Sequence, residues 1–430
     1  MNSDKYKKNK AKKTDWFVHD RFGMFIHWGL YAMPARNEWI KNIERMTTEQ
    51  YQKYFDRFYP DLYSPDAWAE SAAEAGMKYF VITAKHHDGF CLWDSKHTDY
   101  KATNTPHGKD LLKPMVDAFR KRGIKVGLYY SLLDWHHPEF PVDKHHPQRD
   151  DKDFREKEKK RDVRKYAEYM RKQVAELLTQ FGKIDILWFD FSYPGEDGKG
   201  HDDWESEKLL RLVRKLQPDI MIDNRLDLPG SGDFETPEQF QPREGLKDKD
   251  GNPIVWEACQ TFSGSWGYHR DEMTWRNSQE ILGTLIDCVS KGGNLLMNVG
   301  PTARGEFDYR ASARLQNIGK WMQKHSRAIY GCTRAPAEFA CPPGCSLTYN
   351  PETNRLYVHL LSYPYKHVVL PGKAYLEKVE YSQFLHDGSE ILGPAAWINT
   401  HKCMGENVLV LSIPQTKPET AIPVIELFLK

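Results

Sequence analysis

The chain has 430 residues, of which 40% are hydrophobic and 28% charged, enough to bury a large core. Its 61 Lys and Arg nearly cancel its 60 Asp and Glu. The resulting net charge of +1 excludes a chain disordered by charge repulsion, and it gives no field that would gather nucleic acid.

Short β-rich runs alternate with longer helical patterns up to about residue 330, which is typical of parallel βα units. The predicted strands are, in chain order, Arg21–His27, Lys78–Lys85, Lys125–Ser131, Ile184–Phe191, Asp219–Arg225, Val255–Thr261 and Asn294–Gly300. The predicted helices are Pro65–Ala75, Leu111–Lys121, Lys152–Gln180, Trp204–Leu216, Ser278–Val289 and Tyr309–His325. Several strands are almost continuously apolar, as expected of strands that are covered on both faces.

The pattern changes after about residue 335, where no long helical pattern remains. The predicted strands of this part are Arg355–Leu361, His367–Leu370, Leu376–Tyr381, Asn407–Ser412 and Ala421–Leu429. We therefore predict an α/β fold in which a (β/α)8-like (TIM-type) barrel, residues 1–335, is followed by a C-terminal antiparallel β-sandwich domain, residues 336–430. One barrel strand beyond the seven above is expected and is not located by the pattern.

The cysteines do not indicate a disulfide framework. Their number is odd, no CxxC spacing occurs, and Cys341 and Cys345 alone are placed to pair locally. The full set is Cys91, Cys259, Cys288, Cys332, Cys341, Cys345 and Cys403. The basic amino terminus has no apolar signal region and no run approaches a membrane span, so we expect a cytoplasmic protein without membrane partners. A secreted protein whose signal had been removed would look the same.

Polar side chains follow most of the predicted barrel strands, at the ends where such barrels hold their active sites. One polar strand end means little, because helix-capping residues also occur there, but five or six converging ends indicate a site. The polar ends are His27, the segment His86-His87-Asp88, Tyr129, Asp190, the segment Asn224-Arg225, and later Glu235, Glu238 and Glu257.

Asp190 is the strongest catalytic candidate. It follows the apolar run IDILWF, so its carboxylate lies where the buried strand ends. The alternative role, an N-cap for the next helix, is disfavoured because the following FSYPGEDGKG reads as a loop. If the chemistry is acid/base cleavage of a glycosidic bond, the site needs a second carboxyl. In a retaining enzyme the two carboxyls lie about 5–5.5 Å apart. Spacing alone leaves Glu235, Glu238 and Glu257 open for that role.

The histidines His27, His86 and His87 raise the possibility of a metal site, with Asp88 or Asp190 as an oxygen ligand. Adjacent residues of a strand point to opposite faces, so we expect that His86 and His87 do not share one ion. The HxH and HExxH spacings are also absent. We therefore predict no metal and no other cofactor, and uncharged imidazoles that bind the hydroxyl groups of a ligand.

Tryptophans accompany these polar groups, namely Trp28, Trp39, Trp93, Trp135, Trp188 and Trp266. Any single tryptophan of a barrel is more often a core residue than a ligand contact. As a set beside polar strand ends, they favour a carbohydrate, whose C–H face packs on aromatic rings while polar groups bind its hydroxyls.

The same segments carry a family resemblance. They are FGMFIHWGLYAMPARNEW (22–39), KYFVITAKHHDGFCLWDSKHTDY (78–100), VGLYYSLLDW (126–135), ILWFD (186–190), DFETPE (233–238), WGY (266–268) and VSKGGNLLMNVGP (289–301). On these residues the chain resembles the α-L-fucosidases of glycoside hydrolase family 29. The resemblance implies a catalytic (β/α)8-like barrel with a C-terminal β-sandwich, and a small fucosylated carbohydrate as the substrate.

Carried over by motif, the resemblance makes Asp190 the nucleophile of a retaining, exo-acting α-L-fucosidase. Glu238 becomes the general acid/base, ahead of Glu257 and then Glu235. Trp39 and Trp266 would bind the substrate, and Trp266 would line the pocket for the C5 methyl group of fucose. The residues that would bind the fucose hydroxyls or orient the nucleophile are His27, Glu38, His86, His87, Tyr129 and Arg225.

The implied mechanism requires an ionised Asp190 and a protonated Glu238, so we expect their surroundings to push the two pKa values apart. Two alternatives from other classes stay open: a metal-dependent hydrolase on the same barrel, and a non-catalytic fucose-binding relative. A third is the same enzyme acting on α-L-galactosides, which Trp266 disfavours. Linkage preference depends on the loops around the leaving-group site.

Overall fold

The computed structural model describes residues 13–394 and 407–430, and Cys403 lies outside them. Seven strands form one parallel sheet in the order β5-β4-β3-β2-β1-β7-β6. They are β1 (Phe22–Ile26), β2 (Tyr79–Lys85), β3 (Lys125–Ser131), β4 (Ile186–Asp190), β5 (Met221–Ile222), β6 (Glu257–Thr261) and β7 (Asn294–Val299). Each predicted barrel strand is confirmed, and each is shorter than or equal in length to its prediction.

The gap between the edge strands β5 and β6 is filled by an extended segment, residues 233–239. The backbone of Asp233 donates to the carbonyl of Ile222 at 2.7 Å, which ties the segment to β5. On its other side, Glu235 donates to Val255 at 2.9 Å and Cys259 donates to the carbonyl of Pro237 at 3.1 Å. Because proline has no N–H, this stretch cannot form a regular ladder. It nevertheless closes the barrel in place of a regular eighth strand.

Helices cover the outside of the sheet. The longer ones are Thr48–Phe55, Pro65–Glu74, Leu112–Lys121, Val163–Gln180, Ser206–Leu216, Ser278–Ser290 and Tyr309–His325. Short helices are Ile40–Ile43, Lys152–Lys157, His201–Trp204 and Lys373–Lys378, and residues 13–20 are also helical.

Two predicted helices are interrupted. The prediction of one helix over Lys152–Gln180 is wrong, because the chain leaves the helix after Lys157 and starts a new one at Val163. Asp162 caps that second helix by accepting from the N–H of Arg164 at 2.9 Å. The helix predicted over Trp204–Leu216 begins only at Ser206, because Glu205 adopts a left-handed conformation with φ 48°.

The barrel interior has its own apolar core, made by alternate residues of the strands. Phe25, Tyr129 and Trp188 belong to this interior cluster, whereas Met24 and Tyr130 pack outside against the helices. The helical residues 13–20 place Phe17 against Tyr79 at the amino-terminal end, with ring centroids 5.3 Å apart. That end is therefore filled, and the carboxyl ends of the strands remain available for a ligand.

The C-terminal part forms two antiparallel sheets around a second core. One sheet contains Thr333–Arg334, Cys345–Asn350, Arg355–Leu360, Val379–Phe384 and Val424–Leu429, and the other contains His367–Pro371 and Val408–Ser412. Side chains from both sheets, such as Val358 and Leu411, share one apolar cluster. The strand predicted over Leu376–Tyr381 starts only at Val379, after a helical turn. The domain boundary at residue 335 stays a prediction.

The six cysteines within the described residues, including Cys341 and Cys345, are free thiols. Among the same residues, no helix combines the length and the apolar character that crossing a bilayer requires.

Asp233 is predicted to hold the barrel closed. Its buried carboxylate accepts from the backbone of Ile222 at 2.9 Å and pairs with Arg214 at 2.8 Å and Lys13 at 2.7 Å. Because two cations and an N–H lose their partner, Asp233→Ala should lower the free energy of unfolding by about 2–4 kcal/mol in urea titrations. The control Asp271→Ala removes an exposed carboxylate and should leave the unfolding midpoint unchanged. An unchanged midpoint in Asp233→Ala would contradict the closing role.

Candidate active site

A pocket of about 380 Å³ opens at the carboxyl ends of the barrel strands. Nine of the ten predicted site residues line it: His27, Glu38, Trp39, His86, His87, Tyr129, Asp190, Glu238 and Trp266. The tenth, Arg225, contacts both Asp190 and Glu238. The structure thus brings all ten together, and the role of each stays a prediction.

Four lining residues were absent from the predicted set, namely Phe25, Trp188, Phe191 and Cys259. A signal for two of them was present in the sequence. Phe25 lies two residues before His27 and Trp188 two residues before Asp190, and residues two apart in a strand share a face.

Asp190 is the last residue of β4, and its carboxylate is held by two donors. The hydroxyl of Tyr129 donates to Oδ2 at 2.7 Å, and Nη1 of Arg225 donates to Oδ1 at 2.9 Å. Burial raises the pKa of Asp190, and the Arg225 charge opposes that rise. The net direction is upward, which is opposite to the direction expected for a carboxyl that must stay ionised.

The backbone turns sharply directly after Asp190. Phe191 has φ 78°, a left-handed conformation that is uncommon for an aromatic residue, and its ring lines the pocket. The next helix begins only at His201. Asp190 is therefore not a helix cap, and the chain at this point is shaped around the pocket.

Arg225 connects the two predicted catalytic carboxyls. Its Nη2 donates to Oε2 of Glu238 at 2.8 Å, while Nη1 serves Asp190. Burial opposes the charge of the guanidinium, but the carboxylates of Asp190 and Glu238 hold its pKa above the usual range. Nε of Arg225 donates to the Thr236 hydroxyl at 3.0 Å, and the guanidinium lies 4.7 Å from the Trp188 ring. The cation is thus fixed from several sides.

Glu238 and Asp190 differ in exposure. The side chain of Glu238 is 41% exposed, whereas that of Asp190 is 14% exposed. Glu238 is carried by the segment that closes the barrel, and the next residue, Gln239, has φ 63° and donates to the Thr261 hydroxyl at 3.1 Å. The glutamate therefore lies at the mouth of the pocket.

The other two glutamates lie elsewhere. Glu257 is the first residue of β6, so the prediction that it ends a strand at the active-site face is wrong. It is fully buried and accepts from the Tyr79 hydroxyl at 2.5 Å, and burial raises its pKa to about 8. Glu235 accepts from the side-chain amide of Asn224 and is not among the pocket residues.

His86 and His87 both face the pocket. The expectation that they point to opposite faces is wrong, because β2 ends at Lys85 and both residues lie beyond the strand. Their ring centroids are 4.0 Å apart. Burial lowers the pKa of both imidazoles well below the usual range, so both are neutral at neutral pH. Nδ1 of His86 is buried without a hydrogen-bond partner among the described residues.

Hydrogen bonds define the tautomers of His87 and His27. The Ser131 hydroxyl donates to the Leu133 carbonyl at 2.8 Å, so its oxygen accepts a hydrogen from Nδ1 of His87 at 2.6 Å. Similarly, the amide nitrogen of Asn298 donates to the Trp266 carbonyl, and its oxygen lies 2.7 Å from Nδ1 of His27. In each ring Nε2 is then left as an acceptor for a ligand hydroxyl.

Glu38 joins two loops at the pocket. Its carboxylate accepts from the backbone N–H of Gly267 at 2.8 Å, next to Trp266, and burial raises its pKa. Trp39 packs with its ring centroid 5.1 Å from that of His87. The apolar part of the lining is formed by the rings of Phe25, Tyr129, Trp188 and Trp266, which belong to or pack on one cluster. His27 lies against this part, with its ring centroid 4.5 Å from that of Phe25 and 5.1 Å from that of Trp266.

No group of three or more His, Cys, Asp or Glu side chains within residues 13–394 and 407–430 is arranged to hold a metal ion. The pocket therefore combines two carboxyls joined by one cation, neutral imidazoles and an apolar wall. Such a set can donate and accept protons at one side of a small polyhydroxylated ligand while packing against its apolar face.

Comparisons of this chain with known proteins all indicate the same family. A sequence model described as α-L-fucosidase matches residues 1–327. The tissue α-L-fucosidase of Mus musculus is 31% identical over 345 residues, which cover 73% of this chain and 71% of the mouse protein. The plasma α-L-fucosidase of Homo sapiens is 28% identical over 444 residues, covering 93% of this chain and 85% of the human protein.

Solved structures agree over nearly the whole chain. The α-L-fucosidase isoenzyme 1 from Paenibacillus thiaminolyticus has a TM-score of 0.92 and 44% identity, and the match covers 98% of this chain and 100% of that one. A GH29 α-L-fucosidase from Bacteroides thetaiotaomicron, solved as a covalent intermediate trapped with 2-fluoro-fucosyl fluoride, has a TM-score of 0.81 and 28% identity, covering 97% and 96% of the two chains.

The assigned tautomers can be tested directly. We expect His27, whose pKa is lowered to about 3 by burial, to remain neutral and protonated at Nδ1 throughout the range near neutral pH. Heteronuclear NMR of protein with isotopically labelled histidine should show this state, with the signal identified by its loss in His27→Gln. In Asn298→Ala, which removes the Nδ1 partner, the tautomer preference should weaken. An imidazolium signal near neutral pH would contradict the assignment.

Proposed function

The chain belongs to the α-L-fucosidases of glycoside hydrolase family 29, and from this premise we propose that it removes terminal α-L-fucose with retention of configuration, through a covalent fucosyl-enzyme. The observation that carries the mechanism is the contact of one guanidinium, Arg225, with both Asp190 and Glu238. One guanidinium reaches two carboxyls only when they are close, and retaining enzymes hold theirs about 5–5.5 Å apart.

Asp190 is the proposed nucleophile. It attacks C1 of fucose in the first displacement, and the glycosidic bond to the leaving group breaks. The bonds from Tyr129 and Arg225 orient the carboxylate and stabilise its ionised form against burial. The relative from Bacteroides thetaiotaomicron that was trapped as a covalent intermediate supports a double displacement in this chain.

Glu238 is the proposed general acid/base. It donates a proton to the departing oxygen in the first step and takes one from water in the second, so the product keeps its anomeric configuration. Its partly exposed position at the pocket mouth suits this task, because the group must meet both the leaving group and the incoming water. Fully buried Glu257, paired with Tyr79, does not have this access.

Recognition of fucose is proposed to divide between polar and apolar side chains of the pocket. His27, His86 and His87 supply uncharged imidazoles for the hydroxyls, with Glu38 as a carboxyl partner and Trp39 beside them. The apolar wall that contains Trp266 suits the C5 methyl group, which distinguishes fucose from the corresponding hexose. A hydroxymethyl group at that place would lose its hydrogen bonds to water, which disfavours α-L-galactosides.

The nucleophile and the acid/base can be separated by azide rescue. Asp190→Ala should slow hydrolysis of an aryl α-L-fucoside by about a thousandfold or more. Azide then replaces the carboxylate in a single displacement, so the rescued product is the β-fucosyl azide. In Glu238→Ala, azide instead attacks the fucosyl-enzyme, and two displacements give the α-fucosyl azide. Product configuration is read by proton NMR.

The glutamates Glu257 and Glu235 provide the matched controls for this experiment. Glu257→Gln and Glu235→Gln should yield no azide adduct, because neither carboxyl takes part in the reaction. An α-azide from Glu257→Gln or Glu235→Gln, together with none from Glu238→Ala, would overturn the assignment of Glu238. A β-azide from Glu238→Ala would exchange the two roles.

The pH profile provides a second test, through Tyr129. Its hydroxyl donates to Asp190 and so lowers the pKa of that carboxyl. Tyr129→Phe removes this bond, the pKa of Asp190 rises further, and the acidic limb of kcat/KM should move to higher pH. The control Tyr130→Phe removes a hydroxyl that donates to Gln173 outside the barrel, at 2.8 Å, and should leave the limb in place. A limb that moves to lower pH in Tyr129→Phe would contradict the assignment.

A further inference from the structure

We propose that the rings of Phe191, His145 and Tyr193, here called the aromatic shelf, bind the sugar to which fucose is attached. The inference rests on the proposed function and extends it to the leaving group. The expected occupant is a pyranose with an apolar C–H face, such as the galactose or glucosamine unit of a fucosylated glycan.

The shelf begins at the edge of the fucose pocket. Phe191 and Trp39 line that pocket, with ring centroids 5.1 Å apart. His145 lies next to them, 5.0 Å from Phe191 and 6.1 Å from Trp39. Tyr193 continues the series at 4.6 Å from His145. All the shelf rings are partly exposed, so a ligand can reach them.

The shelf lies at the rim of the fucose pocket, because Phe191 lines the pocket whereas His145 and Tyr193 do not. The proposed exo-acting enzyme holds the terminal fucose inside the pocket. The sugar that is bonded to C1 through the glycosidic oxygen therefore lies outside it, at the rim. When the C–H face of that sugar packs against the aromatic rings, its apolar surface is buried while its hydroxyl groups keep their hydrogen bonds.

The shelf is held in place before any ligand arrives. Asp143, 3% exposed, accepts from the backbone N–H of His145 at 2.9 Å and from the Tyr193 hydroxyl at 2.5 Å. The same carboxylate pairs with Lys199, which also donates to the carbonyl of Pro141 at 3.3 Å. The buried ion pair thus fixes the Tyr193 ring and the backbone of His145, and such preorganisation lowers the entropy cost of binding.

His145 adds a polar atom to this surface. Burial lowers its pKa, so the ring is neutral at neutral pH and can both donate to and accept from a hydroxyl group of the bound sugar. The charged groups that act on the ring are Asp143, Lys144, Arg149 and Lys199, and Asp143 is occupied by the contacts given above. Stacking and one adaptable hydrogen bond suit a hexose.

The test compares two substrates that share fucose and differ in the leaving group. α-L-Fucosyl fluoride releases a single atom that does not reach the shelf, whereas a fucosyl-galactose disaccharide places a pyranose on it. The measured quantity is the ratio of kcat/KM for the disaccharide to kcat/KM for the fluoride. His145→Ala and Tyr193→Ala should each lower this ratio about three- to tenfold, the range expected for one aromatic contact.

Two variants separate binding from folding. Tyr193→Phe keeps the ring and removes only the bond to Asp143, so most of the ratio should be retained, and thermal melting checks that each variant is folded. Tyr365→Ala removes a tyrosine that is 71% exposed in the C-terminal part, and its ratio should match the wild type.

The outcomes divide as follows. Equal losses on both substrates, or an unchanged ratio in His145→Ala and Tyr193→Ala, would overturn the shelf while leaving the fucosidase function intact. A fall confined to Phe240→Ala would move the subsite to that side chain, which is 58% exposed and lies two residues after Glu238. A wild type that cleaves neither substrate would reject the proposed function itself.

Discussion

The contact of Arg225 with two carboxyls is the interaction on which the site depends. Two acids brought together in a partly buried pocket repel each other when both are ionised, and the guanidinium between Asp190 and Glu238 offsets that repulsion. Arg225 is itself fixed by Thr236 and by the face of Trp188. The carboxyl positions therefore follow from a cation whose own position is set by the barrel.

The same segment that closes the barrel also carries one of these carboxyls. Residues 233–239 pair with β5 at one end and with β6 at the other, and Glu238 lies near the end of this stretch. A regular eighth strand would alternate its side chains strictly and would have no proline. In the irregular closing segment, Thr236 contacts Arg225 while Glu238 lies at the mouth of the pocket. Asp233 holds the start of the same segment, so we expect barrel stability and the position of Glu238 to be coupled.

Much of the fold could be predicted because local sequence patterns indicate its strands and helices. Short β-rich runs marked all seven strands, and polar residues after most of them marked the site. The errors arose where local pattern is ambiguous. Nothing in the charged run before Val163 shows that the helix breaks there. The alternation of side chains along a strand was applied to His86-His87, although both residues lie beyond the predicted and the observed end of β2 at Lys85. The choice of Glu238 over Glu257 came from family resemblance. Glu257 was grouped with the strand-end residues although it is the third residue of the predicted strand Val255–Thr261, and the structure makes it the first residue of β6.

Solvent access separates the two carboxyl roles more clearly than charge does. A nucleophile forms a bond to carbon and needs no exchange of protons with water. Burial of Asp190 beneath Tyr129 and Arg225 is therefore compatible with its proposed role, even though burial raises its pKa. An acid/base loses a proton in one step and regains it from water in the next. Of the three glutamates considered, Glu257 is buried against Tyr79 and Glu235 is occupied by Asn224. Glu238 combines contact with the shared cation and an open path to water, and the requirement for proton exchange therefore selects the same residue as the family motif.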